Sequence, residues 1–450
     1  MLNQDLGRGR GVYISTYGCQ MNTNDTERML ALLEMMNFVP VESPDRASLI
    51  IINSCSVREK PVHKVRSEVG HYKDWKAKNP DLRIGVGGCV AQQEKAKLLK
   101  DIPVLDFAFG TDAIDQLPEI VARAYESKEK QVSARFENDK PYSIETMVRN
   151  PGVAAFVNIT KGCDNFCTFC VVPFTRGRER SRSLKELVTD IKSLVARGVR
   201  EVTLIGQNVN SYKSECGTDF ANLMRTLAEE TDIQRIRYTT SHPKDFNQEL
   251  VDISAKYRSK ICDYIHLPAQ SGNTEVLRRM NRGYSREEYL DKVAMIRQGI
   301  PGVVLSTDII VGFPGETEAQ FEDTRSLLET VRYENIYAFK YSPRPFTKAA
   351  RYTDQVPESD SKRRLQILLD RQREIAFELG EPYSGQTYDV LFEVKAQIPD
   401  QIQGRTTHNK LVYAVGPDSL IGQTRRVHVT KAFPNVLHGE ILNQNAGALL

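Results

Sequence analysis

Apolar runs and amphipathic stretches alternate along the first 125 or so residues of the chain. Four runs have the length and composition of buried parallel strands, and apolar residues recur at helical spacing in the stretches between them. This alternation predicts a doubly wound α/β domain over residues 1–126. The strand candidates are GVYIST from Gly11, SLIII from Ser48, RIGVG from Arg83 and LDFAFG from Leu105. The polar segment 127–150 has no clear apolar period and predicts an interdomain linker.

The same alternation resumes at Val153 and continues to about Tyr341. It gives about six βα units, fewer than the eight of a closed barrel, so we expect a partial, TIM-like (βα)6 barrel with an open side. A charged helix from Glu358 to about Leu379 ends this domain, which spans 151–380. The strand candidates are AAFVNI from Ala154, EVTLIG from Glu201, RIRYT from Arg235, CDYIHL from Cys262, VVLSTDIIV from Val303 and NIYAFKY from Asn335.

The last seventy or so residues, 381–450, change to short alternating strands broken by Gly, Pro and Asn. A small five-stranded, OB-like β-barrel fits this pattern. The segments are QTYDVLFEV from Gln386, QIQGRT from Gln401, LVYAV from Leu411 and RRVHVTKAF from Arg425.

Composition limits the possible partners, location and cysteine chemistry of the protein. Of the 450 residues, 40% are hydrophobic, and the formal net charge is only +3, so any nucleic-acid surface must be local. No apolar run approaches the length of a bilayer span, which predicts a cytoplasmic protein without membrane contact. The eight cysteines are scattered, which in a reducing compartment favours metal ligands or buried thiols over a disulfide framework. A monomer is the expected oligomeric state.

Three cysteines lie close together after the first strand of the central domain. The spacing is Cys163-x3-Cys167-x2-Cys170. Three thiolates on one loop suit a 4Fe-4S cluster whose fourth iron stays open for a chelating ligand such as S-adenosylmethionine. The alternative is a zinc knuckle with a distant fourth ligand, which requires neither this spacing nor this position in the domain.

Three further cysteines share a position in the N-terminal pattern. Cys19, Cys55 and Cys89 each follow an apolar run at a strand-to-helix turn, with glycines Gly18, Gly87 and Gly88 nearby. Because such turns lie at one edge of a parallel sheet, the three thiols are expected to converge and to hold a second 4Fe-4S cluster. Taken singly, each would more often be a small buried hydrophobe.

Together the two cysteine sets resemble the radical-SAM methylthiotransferase family, over nearly the whole chain. The resemblance implies an N-terminal methylthiotransferase domain, a radical-SAM domain and a C-terminal TRAM domain that binds RNA. The runs Tyr17-Gly-Cys-Gln-Met-Asn22 and Cys170-Val-Val-Pro-Phe-Thr-Arg-Gly-Arg-Glu-Arg-Ser-Arg182 are most similar to the tRNA-modifying MiaB branch.

That resemblance implies a substrate and its cofactors. The substrate is N6-isopentenyladenosine at position 37 of tRNA, beside the anticodon, methylthiolated at the adenine C2 carbon. Two 4Fe-4S clusters and two S-adenosylmethionine molecules per turnover are implied, with external electron and sulfur donors. The alternatives are threonylcarbamoyladenosine in tRNA, an aspartate of a ribosomal protein, and a non-catalytic iron–sulfur carrier. An open iron beside a barrel argues against the carrier.

Polar and aromatic residues at the carboxyl ends of the barrel strands are candidates for S-adenosylmethionine contact. Each residue is also compatible with a capping, turn or packing role. The candidates are Phe169, Gln207, Asn208, Ser271, Asp308 and Gly312.

Two groups of cations are candidates for RNA contact. The first is an arginine strip next to the cysteine loop, of which only half is expected to reach RNA if the segment is extended. The second lies on the C-terminal barrel, which by sequence alone is equally compatible with protein binding. The candidates are Arg176, Arg178, Arg180 and Arg182 in the strip and Arg405, Lys410, Arg425 and Arg426 on the barrel.

Overall fold

The structure is a computed structural model. It describes residues 5–56, 59–127, 129–136, 142, 146, 148–149 and 151–442, but not the side chains of residues 59–63. It consists of an N-terminal α/β domain, a partial βα barrel and a small closed β-barrel. The α/β class and all three architectures predicted from the sequence are confirmed.

The N-terminal domain is a six-stranded parallel sheet in the order β2-β1-β3-β4-β5-β6, covered by helices. Strand β3 (LIIINS) is buried at every position, because helices cover both faces of the sheet. The strands are β1 (Gly11–Tyr17), β2 (Val39–Pro40), β3 (Leu49–Ser54), β4 (Arg83–Gly88), β5 (Phe107–Phe109) and β6 (Gln131–Ser133). The helices are α1 (Gln20–Glu34), α2 (Glu59–Lys78), α3 (Cys89–Glu94), α4 (Ala96–Asp101) and α5 (Leu117–Glu126).

Strand β6 lies inside the segment that the sequence predicts to be a linker. It pairs in parallel with β5, with Phe107 opposite Gln131, and so extends the first sheet beyond residue 126. Because β6 has only three residues and an exposed central valine, it has no apolar run that a pattern search would detect. Several other residues of the predicted linker lie outside the described part of the chain.

The central domain has six parallel strands, each followed by helical segments, which form two three-stranded arcs, β7-β10-β11 and β12-β13-β14. A single bridge between Ile236 and Ile261 joins the arcs. The strands are β7 (Ala154–Asn158), β10 (Glu201–Ile205), β11 (Arg235–Tyr238), β12 (Tyr264–His266), β13 (Val304–Val311) and β14 (Asn335–Lys340), with a small hairpin of β8 (Thr160–Lys161) and β9 (Arg180–Ser181). The helices are α6 (Val172–Arg176), α7 (Leu184–Ala196), α8 (Phe220–Glu230), α9 (Gln248–Lys256), α10 (Thr274–Arg279), α11 (Arg286–Gly299), α12 (Glu318–Val331) and α13 (Glu358–Gly380).

The C-terminal domain is a closed five-stranded barrel in the order β15-β16-β17-β19-β18. Closure removes the exposed sheet edges that so small a domain would otherwise present. The strands are β15 (Thr387–Lys395), β16 (Gln401–Arg405), β17 (Leu411–Val415), β18 (Thr424–Ala432) and β19 (Val436–Ile441).

Buried polar contacts join the two barrels. Arg237 donates to the carbonyl oxygens of Thr406 and Thr407, at 2.6 and 3.0 Å, and Arg235 donates to that of Asp389 at 3.0 Å. Arg237 also pairs with Glu201 at 2.7 Å, so its buried charge is compensated. Among the described residues, no helix combines the length and apolar composition that crossing a bilayer requires.

Candidate active site

The loop with the Cys-x3-Cys-x2-Cys spacing begins directly after β8, at the carboxyl ends of the barrel strands. Gly162 has φ +82° and lies so close to Arg178 that a Cβ atom there would be 2.0 Å from the Arg178 carbonyl oxygen. The Cys170 amide donates to the Cys167 carbonyl at 2.9 Å, which folds the loop into a tight turn. The three thiols therefore lie on one compact loop, with Cys167 buried and Cys163 and Cys170 partly buried.

A cavity of about 160 Å³ opens beside this loop and is lined by all three cysteines. Three of the six residues predicted to contact S-adenosylmethionine, Phe169, Gln207 and Asp308, also line it. The Gln207 side chain accepts a hydrogen bond from the Gly162 amide at 2.5 Å, which ties the end of β10 to the cysteine loop.

The structure places the other three candidates away from the lining of this cavity. Asn208 is buried and donates to Asp245 at 2.8 Å. Ser271 is buried beside the Thr324 hydroxyl, at 3.4 Å. Gly312 donates its amide to Glu316 at 2.6 Å, and a Cβ atom there would be 2.1 Å from the Ser361 hydroxyl oxygen. These three positions hold the ends of the strands in place.

Sequence reasoning missed Arg282, a buried cation next to the loop. Its guanidinium donates to the Cys167 sulfur at 3.4 Å, to the Pro268 carbonyl at 3.2 Å and to the Tyr284 hydroxyl at 2.9 Å. Among the described residues Arg282 forms no ion pair with a carboxylate, and its side-chain partners are the Cys167 sulfur and the Tyr284 hydroxyl. Nothing in the run Met280-Asn-Arg-Gly-Tyr284 distinguishes this arginine from a surface one.

Three non-glycine residues at or beside the same cavity have a positive φ. Thr240 and Gln270, which line it, have φ values of +64° and +69°, and Phe166 in the cysteine loop has φ +46°. Such conformations cost about 1–3 kcal/mol for residues with a side chain and are typical of functional sites. The sequence could not reveal them, because glycine alone would signal a positive φ.

Burial disfavours the thiolate form at two of the three loop cysteines. Burial raises the pKa of Cys163, and it raises the pKa of Cys170 to about 12, with a further contribution from the Cys167 thiol. Thiolates are the ligand form of cysteine, and a bound cationic metal group would stabilise them at Cys163 and Cys170 against this burial.

The structure brings Cys19, Cys55 and Cys89 together at the carboxyl edge of the N-terminal sheet. Cys55 lies between the other two and hydrogen-bonds with both, which lowers the pKa values of Cys19 and Cys89 to about 6 and raises that of Cys55. Arg176 of the central domain contributes to the lowering at both flanking thiols.

Glycine makes this convergence possible. A Cβ atom at Gly18, where φ is +136°, would be 2.3 Å from the Cys55 Cβ atom. At Gly88, where φ is +87°, it would be 2.5 Å from the Asn53 side-chain oxygen. The two glycines thus leave the space in which the strand ends, and with them the thiols, approach each other.

Both cysteine sets fit an iron–sulfur cluster by donor chemistry: each supplies three thiols and leaves a fourth position open. In the described part of the chain, no set of three or more Cys, His or acidic side chains is arranged to hold a single metal ion.

The structure exposes one of the four members of the arginine strip, of which about half were expected to reach RNA. Arg178 is exposed and pairs with Asp164 at 2.9 Å. The other three are buried or nearly so, and each pairs with an aspartate: two of these aspartates belong to the N-terminal domain, and the third lies eight residues after Arg182, in α7. These pairs are Arg176 with Asp25 at 2.7 Å, Arg180 with Asp112 at 3.1 Å and Arg182 with Asp190 at 2.7 Å. The reason is that hairpin β8–β9 and helix α6 lie under the N-terminal domain, where buried cations need carboxylate partners.

The four C-terminal cations also differ in exposure. Lys410 is buried and pairs with Glu334 of the central domain, and Arg405 pairs with Glu393 at 2.6 Å. Arg425 is partly buried and Arg426 is exposed. Lys410 therefore fastens the two barrels to each other and does not face solvent.

An aromatic surface on the C-terminal barrel adds to these cations. Tyr413 of β17 and His438 of β19 are paired in register and stack with ring centroids 5.6 Å apart. Phe433, which is 42% exposed, lies edge-on to His438, and the Lys431 ammonium lies 4.8 Å from the Phe433 ring centre. We call these four residues the aromatic platform.

The partial barrel and its three-cysteine loop define a radical-SAM enzyme, and the comparisons agree. A model described as the radical SAM superfamily matches residues 157–328. A model described as the uncharacterized protein family UPF0004 matches 11–110, and the TRAM domain model matches 381–442. Membership of the radical SAM superfamily implies one 4Fe-4S cluster and S-adenosylmethionine.

Relatives identify the family within that superfamily. A tRNA-2-methylthio-N(6)-dimethylallyladenosine synthase from Bdellovibrio bacteriovorus is 62% identical over 440 residues, covering 98% of this chain and 97% of the relative. A synthase of the same name from Geobacillus kaustophilus is 45% identical and covers 98% of this chain and 83% of the relative. The chain belongs to this family of radical-SAM methylthiotransferases.

Solved structures agree on the fold. A radical S-adenosylmethionine methyltransferase from Kitasatospora setae, with cobalamin and a [4Fe-4S] cluster bound, superposes with a TM-score of 0.57. The match covers 76% of this chain and 74% of that one, at 14% identity, and so concerns the fold alone.

Proposed function

We propose that this protein converts N6-isopentenyladenosine at position 37 of tRNA, beside the anticodon, into 2-methylthio-N6-isopentenyladenosine. The observation that carries the proposal is the second set of thiols, Cys19, Cys55 and Cys89, converging next to the radical-SAM loop. One such loop suffices to generate a radical, whereas a second set of ligands with an open position suits a carrier of sulfur.

When bound, two 4Fe-4S clusters and two S-adenosylmethionine molecules per turnover would supply a methylated sulfur and a 5′-deoxyadenosyl radical to the adenine C2 carbon. Cys163, Cys167 and Cys170 would hold the radical-SAM cluster, and the N-terminal thiols the auxiliary one. Phe169, Gln207 and Asp308 would position S-adenosylmethionine in the cavity that they line.

Helix α6 connects the two thiol sets. It begins two residues after Cys170 and packs against α3. At its end, the Arg176 guanidinium donates a hydrogen bond to the Asp25 carboxylate of α1 at 2.7 Å. The Arg176 charge also acts on Cys19 and Cys89, as their lowered pKa values indicate. A substrate base held between the sets would therefore meet both within one rigid frame.

RNA is the favoured partner for the C-terminal barrel. The aromatic platform offers rings for stacking bases and includes the Lys431 cation, and Arg426 is exposed elsewhere on the same barrel. Of the arginine strip, Arg178 is the member exposed for phosphate contact, and its guanidinium lies 5.2 Å from the Phe166 ring centre. Electron and sulfur donors would be external.

The test is mass spectrometry of tRNA nucleosides from a strain that lacks the gene, complemented with variant proteins. The wild-type protein should restore the methylthio adenosine, and the triple Cys19→Ala, Cys55→Ala, Cys89→Ala variant should not. The purified triple variant should keep about half its iron and still cleave S-adenosylmethionine.

The same strains distinguish the alternatives. Loss of the methylthio group from threonylcarbamoyladenosine, or from an aspartate of a ribosomal protein, with isopentenyladenosine modification unchanged, would contradict the proposal. Full iron retention in the triple variant would contradict the auxiliary cluster specifically.

A further inference from the structure

A second cavity borders the radical-SAM loop. It has a volume of about 550 Å³ and shares Cys167 and Cys170 with the cavity proposed for S-adenosylmethionine, while its other lining residues are different. Those residues come from the cysteine loop, from α10 and its end, and from the segment after β14. The cluster ligands therefore separate the two cavities.

Three exposed phenylalanines surround this second cavity. Phe166, Phe174 and Phe346 are 43%, 41% and 56% exposed, and the rings of Phe174 and Phe346 lie 5.9 Å apart. Phe346 has φ +71°, a conformation that a phenylalanine adopts only at a cost. Grouped exposed rings of this kind are typical of the apolar centre of a protein–protein interface.

The charges around the rings are positive. Arg278, Arg279, Lys348 and Arg351 line the cavity, and none of its lining residues is acidic. Arg278 and Arg279 pair with Glu275 and Asp354 outside the lining, at 2.6 and 2.7 Å. These carboxylates balance the charges of Arg278 and Arg279, so the net positive charge of the face comes from Lys348 and Arg351. We call the three phenylalanines with Arg278, Lys348 and Arg351 the loop face.

We propose that the loop face docks a small acidic protein that carries one electron to the radical-SAM cluster. In this step the reduced carrier loses one electron and is oxidised, and the cluster held by Cys163, Cys167 and Cys170 gains that electron. No covalent bond forms or breaks. The loop face is suited to this because Cys167 and Cys170, two of the cluster's ligands, line its cavity, so a carrier docked there lies beside the cluster.

The size and charge of the loop face fit a small acidic electron carrier. Electron-transfer complexes are short-lived and use small interfaces, in which opposite charges steer association around a limited apolar contact. Three rings framed by cations fit that description. RNA would also be attracted by cations and aromatic rings, but every lining residue belongs to the central domain, and none to the N-terminal domain that holds the second thiol set or to the C-terminal barrel.

The test measures how fast the reconstituted holoprotein is reduced by a reduced plant-type [2Fe-2S] ferredoxin, an acidic one-electron carrier, in anaerobic stopped flow. In the Lys348→Glu, Arg351→Glu variant the second-order rate constant should fall at least about tenfold at low salt and lose most of its salt dependence. The Phe346→Gly variant, which keeps the positive φ accessible, should slow reduction while leaving thermal stability unchanged or raised.

Two controls accompany these variants. Photoreduced 5-deazariboflavin, a small uncharged reductant, should reduce the wild-type and variant clusters equally fast. Lys192→Glu, Lys256→Glu makes the same charge change on exposed residues of α7 and α9 and should leave ferredoxin reduction nearly unchanged.

An unchanged ferredoxin rate in the loop-face variants would overturn the proposal. So would loss of affinity for an anticodon stem-loop RNA without slower reduction, which would assign the face to RNA. Reduction requires the radical-SAM cluster and not the substrate, so this test does not depend on whether the methylthiolation proposed above is correct.

Discussion

At the scale of single residues, the site depends on positions that exclude a side chain. Gly18 is the clearest, because a Cβ atom there would overlap Cys55 and the backbone has φ +136°. Alanine at this position must push the turns after β1 and β3 apart. The thiols of Cys19 and Cys55 would then separate, with no ligand removed.

We therefore expect Gly18→Ala to lower the iron content of the reconstituted protein from about eight to about four atoms per chain. Cleavage of S-adenosylmethionine, which depends on the other cysteine loop, should persist. Gly70→Ala is the matched control, since nothing lies within 4 Å of a Cβ atom at Gly70, which is in helix α2. Equal iron in both variants would show that the close approach is not needed.

Arg282 contributes charge at the radical-SAM loop. A buried guanidinium that donates to the Cys167 sulfur stabilises the more negative, reduced form of a bound cluster. Arg282→Met should shift the cluster's reduction potential to more negative values, and Arg282→Lys, which keeps the charge, should shift it less. An EPR-monitored redox titration measures both. A potential unchanged by Arg282→Met would contradict the role.

At the scale of elements, the sequence predicted the strands better than it predicted which charged side chains would be buried and with which partners. The runs GVYIST and LIII were identified because a buried parallel strand must be apolar throughout. The burial of three arginines of the strip was not predicted, because Asp25, Asp112 and Asp190, which neutralise them, lie in other elements. Pairing across domains leaves no local pattern.

The convergence of the three N-terminal cysteines was also predictable, because it depends on the strands. Topology alone places the ends of parallel strands at one edge of a sheet, so Cys19, Cys55 and Cys89 were expected to meet. Arg282, by contrast, follows α10, and it reaches Cys167 because the cysteine loop packs there, with the Thr168 amide donating to the Met280 carbonyl at 3.0 Å. The residues around Arg282 in the sequence do not indicate that the cysteine loop packs there.

The pairing of β17 with β19 creates the aromatic platform, and it leads to a prediction about RNA. Tyr413→Ala should weaken binding of an isopentenylated anticodon stem-loop by about 1–3 kcal/mol, roughly five- to a hundredfold, through lost stacking. Fluorescence anisotropy measures the affinity. Phe377→Ala removes a similarly exposed ring, 59% exposed on α13, and should have little effect. Equal RNA affinities of the two variants would show that the aromatic platform does not contact RNA.

At the scale of the whole molecule, the question is how firmly the C-terminal barrel is held relative to the radical-SAM loop. Arg237 is central to this junction, because it is buried, pairs with Glu201 and donates to two carbonyls of the turn after β16. Lys410 of that turn reaches back to Glu334. A base can be presented reproducibly to the central domain only if this junction is rigid.

Arg237→Met should loosen the junction without unfolding either barrel, because it leaves the Glu201 carboxylate and two carbonyl groups buried without their donor. The loss of one partner of a buried ion pair typically costs about 3–5 kcal/mol. Amide exchange in the turn at 405–410 should therefore accelerate strongly, while exchange in β17 and β19 stays slow. Lys395→Met, which breaks an exposed pair with Asp418 in the same barrel, is the control and should change exchange at neither place. If the turn stays protected in the Arg237 variant, other contacts hold the barrels together. If β17 and β19 lose protection with it, the small barrel depends on the central domain for its own stability.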